Sequence, residues 1–268
     1  MRSLKSTYGK LALIAGGSEG IGAAFAAYLA KAGLDLILVA RNEEKLVKLA
    51  KTLKEKYSVS IDCISCDLAQ PTAPKEIWQQ LGHRPIDVLV YNAALSYIGP
   101  FEDHALEHHL EIAQANMLSP LEMLHRFGTP MLKRGRGACI LMASLAGFQG
   151  SGFLSSYAAT KAFDRILAES LWYEWKDRGV DVMACCAGAT SSPNFIKSNP
   201  EKSSPLAPRI QKPEEVVAEC FQKLGTKPSI ICGRGNRWAS FVMQRLMPRK
   251  MAIQIMGDTT RKLYRIPK

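Results

Sequence analysis

Short apolar runs alternate with longer mixed stretches along most of the chain. Runs at Leu11–Ala15, Leu36–Ala40, Val59–Ile64, Val88–Tyr91, Cys139–Met142, Val180–Cys186 and Ile230–Cys232 are rich in β-branched residues and leucine. They lack the apolar–polar alternation of a strand with one wet face, so they read as strands covered on both sides. Between them, Ile21–Ala32, Glu43–Lys56, Ala73–Leu81, His104–Lys133, Ser156–Arg178 and Glu214–Leu224 carry helical patterns. Strand and helix in alternation predict an α/β fold: one domain, built on a doubly wound parallel sheet of about seven strands with helices on both faces. No repeat of 20–50 residues interrupts this rhythm.

Two segments fall outside it. Ser191–Pro213 carries five prolines (Pro193, Pro200, Pro205, Pro208, Pro213) and is too long for an ordinary connection, so about 190–213 is expected to act as a lid. After Cys232, the residues Trp238, Phe241, Val242, Leu246 and Met247 fit one helix face, broken at Pro248, and Met251–Met256 begins a second helix. The chain therefore divides into a body, 1–233, and a basic helical extension, 234–268.

Composition narrows the class. With 268 residues, 47% hydrophobic and 22% charged, the chain is an ordinary globular protein and not a disordered, coiled-coil or collagenous one. A core of this size needs no disulfide or metal staple. No apolar run approaches the ~18 residues of a spanning helix. The formal charge is +11, but Lys227–Lys268 holds ten Lys/Arg against one acid, Asp258, so +9 belongs to the tail and the body is near neutral. The first residues superficially resemble a signal peptide, yet the apolar stretch breaks at Gly17-Ser18-Glu19-Gly20. The seven cysteines are read as reduced thiols of a cytoplasmic protein. Cys63 and Cys66 lie in a strand-like run, where small buried hydrophobes are expected rather than a redox pair.

Three groups of residues carry chemistry. The turn from Gly16 through Ser18, Glu19, Gly20 and Ile21 to Gly22 follows the first strand and opens the first helix. Glycines there allow a tight turn and close approach of backbone to a pyrophosphate, with helix N–H groups facing the phosphates. Some twenty residues on, where an acid would bond an adenosine ribose 2′-hydroxyl, stand Ala40 and Arg41. A guanidinium there favours a 2′-phosphate, hence NADP(H) over NAD(H). Third, Tyr157 and Lys161 lie one helical turn apart on the same face. A phenol titrates near 10, and lowering that by about three units takes roughly 4 kcal/mol from a neighbouring cation. Ser144, after a strand, is placed to hold a carbonyl oxygen.

Taken in order, the glycine turn, Asn92-Ala93-Ala94, Asn116, Ser144, Tyr157 and Lys161 resemble the short-chain dehydrogenase/reductase family, over about Leu11–Phe195. The resemblance implies a Rossmann-like fold and transfer of a hydride between nicotinamide and a carbonyl or secondary alcohol. It implies that Tyr157 is the general acid/base, that Lys161 binds the nicotinamide ribose and acidifies the phenol, and that Ser144 polarises the carbonyl. Asn116 holds a water linking Lys161 to solvent. Asp67 with Leu68 contacts adenine, Arg41 and Asn42 the 2′ end, and Asn92, Ala93 and Ala94 the cofactor's middle. Gly188 lies beside the nicotinamide, and Ser192 or Thr190 meets the carboxamide. Ala15, Tyr91 and Ala187 depart from the family's usual Thr, Asn and Pro, which bears on cofactor affinity and not on the reacting groups. Phe153, Phe195 and Ile196 would line an apolar pocket for a bulky ketoacyl, steroid-like or lipid-like substrate. The resemblance further implies a homodimer or homotetramer.

Rival readings concern other classes. His104 and His108 stand a turn apart with His109 beside them, but no third ligand completes a metal site, and none is expected. The tail is open to weak contact with an anionic membrane surface, whereas a near-neutral body argues against nucleic acid. A non-catalytic, NADPH-binding or membrane-surface protein on the same scaffold is the alternative to an enzyme.

Overall fold

Seven strands, β1 (Leu11–Ala15), β2 (Asp35–Ala40), β3 (Ile61–Ser65), β4 (Val88–Tyr91), β5 (Gly137–Ser144), β6 (Val180–Ala187) and β7 (Ser229–Ile231), form one parallel sheet in the order β3-β2-β1-β4-β5-β6-β7. The structure, a computed structural model, describes residues 3–82, 84–198, 200 and 209–267. Alternate residues of the inner strands enter opposite cores, and this explains why those strands show no polar face; at the edge strand β3, Asp62 and Ser65 are exposed. Ala12 and Ile14 pack with Phe25 and Leu29 of α2 (Gly20–Lys31), Leu46 and Leu53 of α3 (Glu43–Tyr57) and Val216 and Phe221 of α10 (Pro213–Lys223). Leu13 and Ala15 face the other way, toward Ile77 of α4 (Ala73–Leu81), Met123 of α6 (Ser119–Met123), Met131 of α7 (Thr129–Arg134) and Ala168 of α8 (Ser155–Trp175). β1 pairs with both β2 and β4, so the winding reverses at its carboxyl end. Such a reversal opens a crevice, the usual ligand site of an open α/β sheet.

The expected helix His104–Lys133 is found over 106–134, with its α-helical bonding interrupted twice. Phe101–Asp103 is a 3-10 turn, His104 lies outside any helix, and α5 (Leu106–Ala113) runs into a π-helical stretch, Gln114–Leu118, before α6; a second π stretch, Leu124–Gly128, precedes α7. Pro120 and Pro130 are the physical reason. Neither has an N–H to bond the carbonyl four residues back, Asn116 and Arg126 respectively, and a widened turn absorbs the defect. Smaller corrections have equally local causes. β3 starts at Ile61 instead of Val59 because Ser58 takes a left-handed φ of 55° to end α3. β5 extends four residues beyond the expected run, since Gly137, Ala138, Ala143 and Ser144 also pair with β6. A short α1 (Leu4–Thr7), missed in the sequence, is capped by Ser3, and Arg136 donates to the carbonyls of Lys5, Ser6 and Thr7.

The tail forms α11 (Arg234–Phe241), a π stretch Val242–Leu246, and α12 (Arg249–Leu263), longer than the helix expected over Met251–Met256. α12 is seated on the body. Ala252 and Thr260 are buried, Arg249 donates to the carbonyl of Phe148 at 2.8 Å, and Gly150 and Gly152 leave the room that Ile253 and Gly257 fill. Trp238 and Phe241 of α11, by contrast, are 67% and 49% exposed. The expected lid, 190–213, falls partly outside the described residues; within them lie α9 (Pro193–Lys197) and a bridge between Thr190 and Gln211.

Candidate active site

The glycine turn is shaped by backbone contacts. A Cβ on Gly16 would sit 2.6 Å from the Ala93 nitrogen, and one on Gly22 would sit 1.9 Å from the Gly16 carbonyl oxygen. Gly16 and Gly20 also have φ of +78° and +57°, values L side chains rarely adopt. Asn92 locks the turn by donating from Nδ2 to the Gly16 carbonyl at 2.9 Å, while the backbone N–H groups of Asn92 and Ala93 both reach Ala15. Ser18 and Ile21 are half-buried in the turn, and Ala94 is exposed beyond it. No side chain caps the N-terminus of α2, so its first N–H groups stay open to an anion. The Glu19 carboxylate is turned away, onto Lys45 at 2.6 Å. A dinucleotide phosphate therefore fits this turn on steric and electrostatic grounds.

At the β2 end, Arg41 is exposed and, among the described residues, pairs with no carboxylate. Asn42 spends its side-chain oxygen capping α3, accepting from Lys45 N at 2.8 Å. Asp67 accepts from the Ala69 N–H at 3.1 Å, and Leu68 is buried, its carbonyl taking the Ser119 hydroxyl at 2.7 Å.

Ser144, Tyr157 and Lys161, the residues expected to carry the chemistry, stand on β5 and α8, which pack against each other. Ser144 ends β5, and its Oγ accepts from Ala146 N at 3.2 Å. The following 3-10 turn, Leu145–Phe148, presses against α8 at Gly147, where a Cβ would lie 2.6 Å from Lys161 and Ala162 backbone atoms. Only a glycine lets the turn carrying Ser144 approach the helix bearing Tyr157 and Lys161. Lys161 is 2% exposed. Its Nζ donates to the Met142 carbonyl at 2.7 Å and to Asp164 Oδ2 at 2.9 Å, and lies 5.9 Å from the Tyr157 ring centre. Burial pulls the ammonium toward losing its proton, but the Asp164 carboxylate and then Tyr157 outweigh this and push its pKa up. Burial likewise pushes the Asp164 carboxyl up, against the pull of Lys161. Asn116 sits in the first π stretch, fully buried. Its side chain both donates to and accepts from the Leu95 backbone, at 2.9 and 2.8 Å, and donates to Thr160 Oγ1 at 3.1 Å.

At the β6 end, Gly188 is hemmed in by Asn236, which would meet a Cβ there at 2.5 Å; Asn236 itself is held by Cys232 O and Gln211 Oε1. Of the two carboxamide candidates, Thr190 is buried and donates to the Gly188 carbonyl at 3.0 Å. Ser192 lies against Gly20 and accepts from Phe195 N at 3.3 Å. Phe153 has a φ of 65° and carries the Arg261 guanidinium 5.1 Å over its ring. Ile196, expected in the pocket, is exposed on α9 instead. The histidines stack in an aromatic group: His108 on Tyr97 at 4.5 Å and His109 on Phe101 at 4.2 Å, with His109 Nδ1 2.8 Å from Ser156 Oγ. Cys63 and Cys66 are free, half-buried thiols, pushed up mainly by burial.

Asn236, Gly147, Asp164 and Tyr264 escaped the sequence reading. Burial raises the Tyr264 phenol, with Ser198 opposing and Tyr157 reinforcing, so this tail residue shares the electrostatic neighbourhood of Tyr157. Only a sequence gap of about a hundred residues separates it from any motif, and no local pattern spans that.

Fold and site together define a nucleotide-binding oxidoreductase. The short chain dehydrogenase profile matches residues 10–203, and the chain belongs to that family. A 7β-hydroxysteroid dehydrogenase of Mediterraneibacter gnavus is 30% identical over 237 residues, 88% of this chain and 90% of that protein. A solved 7β-hydroxysteroid dehydrogenase superposes with a TM-score of 0.88 at 30% identity, over 95% of this chain and 99% of its own. A short-chain dehydrogenase from Sphingobium yanoikuyae in complex with NADPH superposes at 0.76 with 25% identity, over 88% and 94%.

Proposed function

We propose that the protein is an NADP(H)-dependent reductase of a carbonyl on a bulky, apolar, steroid-like or ketoacyl substrate, working reversibly on the corresponding secondary alcohol. The observation that carries this is the Lys161 ammonium buried beneath the Tyr157 ring, on a helix packed against the strand and turn that carry Ser144, because a phenol and an ammonium so placed serve proton transfer and not surface solvation. The relatives named above act on hydroxysteroids, and one solved neighbour holds NADPH; both support the reading.

In this reading Ser144 orients the carbonyl by donating to its oxygen, and Tyr157 passes its phenolic proton to the same oxygen. When bound, NADPH supplies the hydride to the carbonyl carbon, so the C=O becomes CH–OH and the cofactor leaves oxidised. Lys161 steadies the phenolate until it is reprotonated, and the Asn116 carbonyl serves the water that returns the proton. The glycine turn and Asn92 would hold the pyrophosphate, Arg41 and Asn42 the 2′-phosphate, Asp67 and Leu68 the adenine, and Gly188 with Ser192 the nicotinamide end. The tail, 234–268, would roof the substrate space from α12. Apolar exposure of Leu106, Leu110, Leu121 and Ile166 on α5, α6 and α8 supports a homodimer or homotetramer, and seven free thiols support a cytoplasmic site.

Loss of NADPH absorbance over a panel of steroid ketones, β-ketoacyl thioesters, bulky ketones and aldehydes tests the activity. Tyr157→Phe should lower turnover by about 10²–10⁴-fold with NADPH binding nearly unchanged; activity that survives the change removes Tyr157 as the acid.

A further inference from the structure

Asp164 is a buried ionisable group at the site that the acid–base chemistry leaves unused. It stands one turn after Lys161 on α8 and is 1% exposed; one oxygen takes the Lys161 Nζ at 2.9 Å and the other, Oδ1, is buried with no partner. An ammonium has three N–H groups, and Lys161 gives one to Asp164 and one to the Met142 carbonyl. Stability does not explain the pair, since a buried ion pair is often matched or bettered by apolar residues of the same volume. Its electrostatic effect is specific. The Lys161 Nζ lies 5.9 Å from the Tyr157 ring centre, and a lone ammonium at about that distance from a phenol oxygen, at an effective dielectric near 20, would lower a phenol by roughly two pH units. A carboxylate in contact with that ammonium opposes this field.

Other ionisable groups face the pair. Cys186 lies beside Lys161 on β6, Tyr91 beside Asp164 on β4, and Tyr264 of the tail beside Tyr157. Arg165 and Glu169, paired with each other, reach Cys186. Cys186, Tyr91 and Tyr264 are all raised chiefly by burial and stay neutral near pH 7. Among the described residues, Asp164 is thus the one that brings a negative charge into contact with the ammonium.

We propose that Asp164 is a positioning residue that partly offsets the charge of Lys161, so that Tyr157 holds its proton to a higher pH than the ammonium alone would allow, biasing the site toward giving a proton to a carbonyl over taking one from an alcohol. This rests on the acid–base role of Tyr157 given above. The test is an NMR titration of the full chain carrying ¹³Cζ-labelled tyrosine, with and without NADP⁺, the Tyr157 resonance being assigned by its loss in Tyr157→Phe. In the wild type the midpoint is expected above about pH 8, the value an unopposed ammonium would produce; a lower midpoint overturns the proposal whatever the variants do. In Asp164→Asn, which keeps shape, and Asp164→Val, which removes the hydrogen bond too, the midpoint should fall by at least about one unit. A variant that folds and titrates with the wild-type midpoint also overturns it. Turnover of Tyr157→Phe on the ketone panel separates the two failures. A live Tyr157→Phe sinks the acid–base reading, whereas a dead one with an unshifted Asp164→Asn removes the role of Asp164 alone.

Discussion

Arg41 leaves the end of β2 exposed and uncommitted, while its neighbours are engaged. Asn42 caps α3 and Glu19 is paired with Lys45. A guanidinium can bond a phosphate through two parallel N–H groups, and such charge-assisted bonds each contribute about 1.5–3 kcal/mol. Arg41→Ala is therefore expected to weaken NADPH by about 2 kcal/mol, roughly 30-fold, and to leave NADH nearly untouched. Fluorescence titration of both nucleotides at one ionic strength measures it; an equal loss for both would refute the 2′-phosphate role. Asn116 shows how one residue divides its work. Its side chain knits the π stretch to Leu95 and Thr160, and in the proposed mechanism its main-chain carbonyl serves the water.

At the scale of elements, the π stretches belong to the site as much as to the fold. Tyr91 ends β4 and donates to the Ala115 carbonyl at 2.5 Å, pinning the first stretch to the sheet. Burial holds this phenol well above its ordinary value of 10, with Asp164 adding to the rise. Tyr8 is raised too, by burial and then by its bond to Asp181. An unfolded tyrosine titrates near 10, so unfolding releases protons above that pH. The stability these phenols confer is complete below pH 10 and lost as pH rises beyond it, by about 1.4 kcal/mol per pH unit for each group. Tyr91→Phe should cost about 1 kcal/mol at neutral pH and make the alkaline decline shallower. Thermal melts from pH 8 to 11 check this, and an unchanged slope counts against the assignment.

For the molecule as a whole, positive charge is concentrated at the C-terminal end. Residues 227–268 carry +9 of the +11; α12 is spent on roofing the turn before α8, but Trp238 and Phe241 stack at 6.1 Å beside Arg234 and Arg237 on the outside. No helix among the described residues is long and apolar enough to cross a membrane. An interfacial contact needs only such a basic, aromatic ridge, with each surface Lys/Arg contributing about 1 kcal/mol toward anionic lipid. Vesicles with phosphatidylserine should co-sediment the protein at low salt and release it at high salt, and Trp238→Ser with Phe241→Ser should abolish the effect. Equal sedimentation of the wild type and the double variant ends the idea.

Much of this was legible in one dimension. Apolar runs that skip alternation announced strands buried on both faces, and glycines between a strand and a helix announced a tight turn with positive φ at Gly16 and Gly20, because both are local consequences of backbone geometry. Tyr157 and Lys161 share a face because a helix repeats every 3.6 residues, and spacing alone says so. What spacing could not say is that Lys161 is buried against Asp164 and Met142, that Gly147 exists to let two elements touch, that Asn236 closes on Gly188, or that Tyr264 comes back to Tyr157. Those facts depend on which residues meet across the sheet, and a chain declares its local periods while its long-range contacts, and the desolvation that sets the charge of a buried pair, come into being only when it folds.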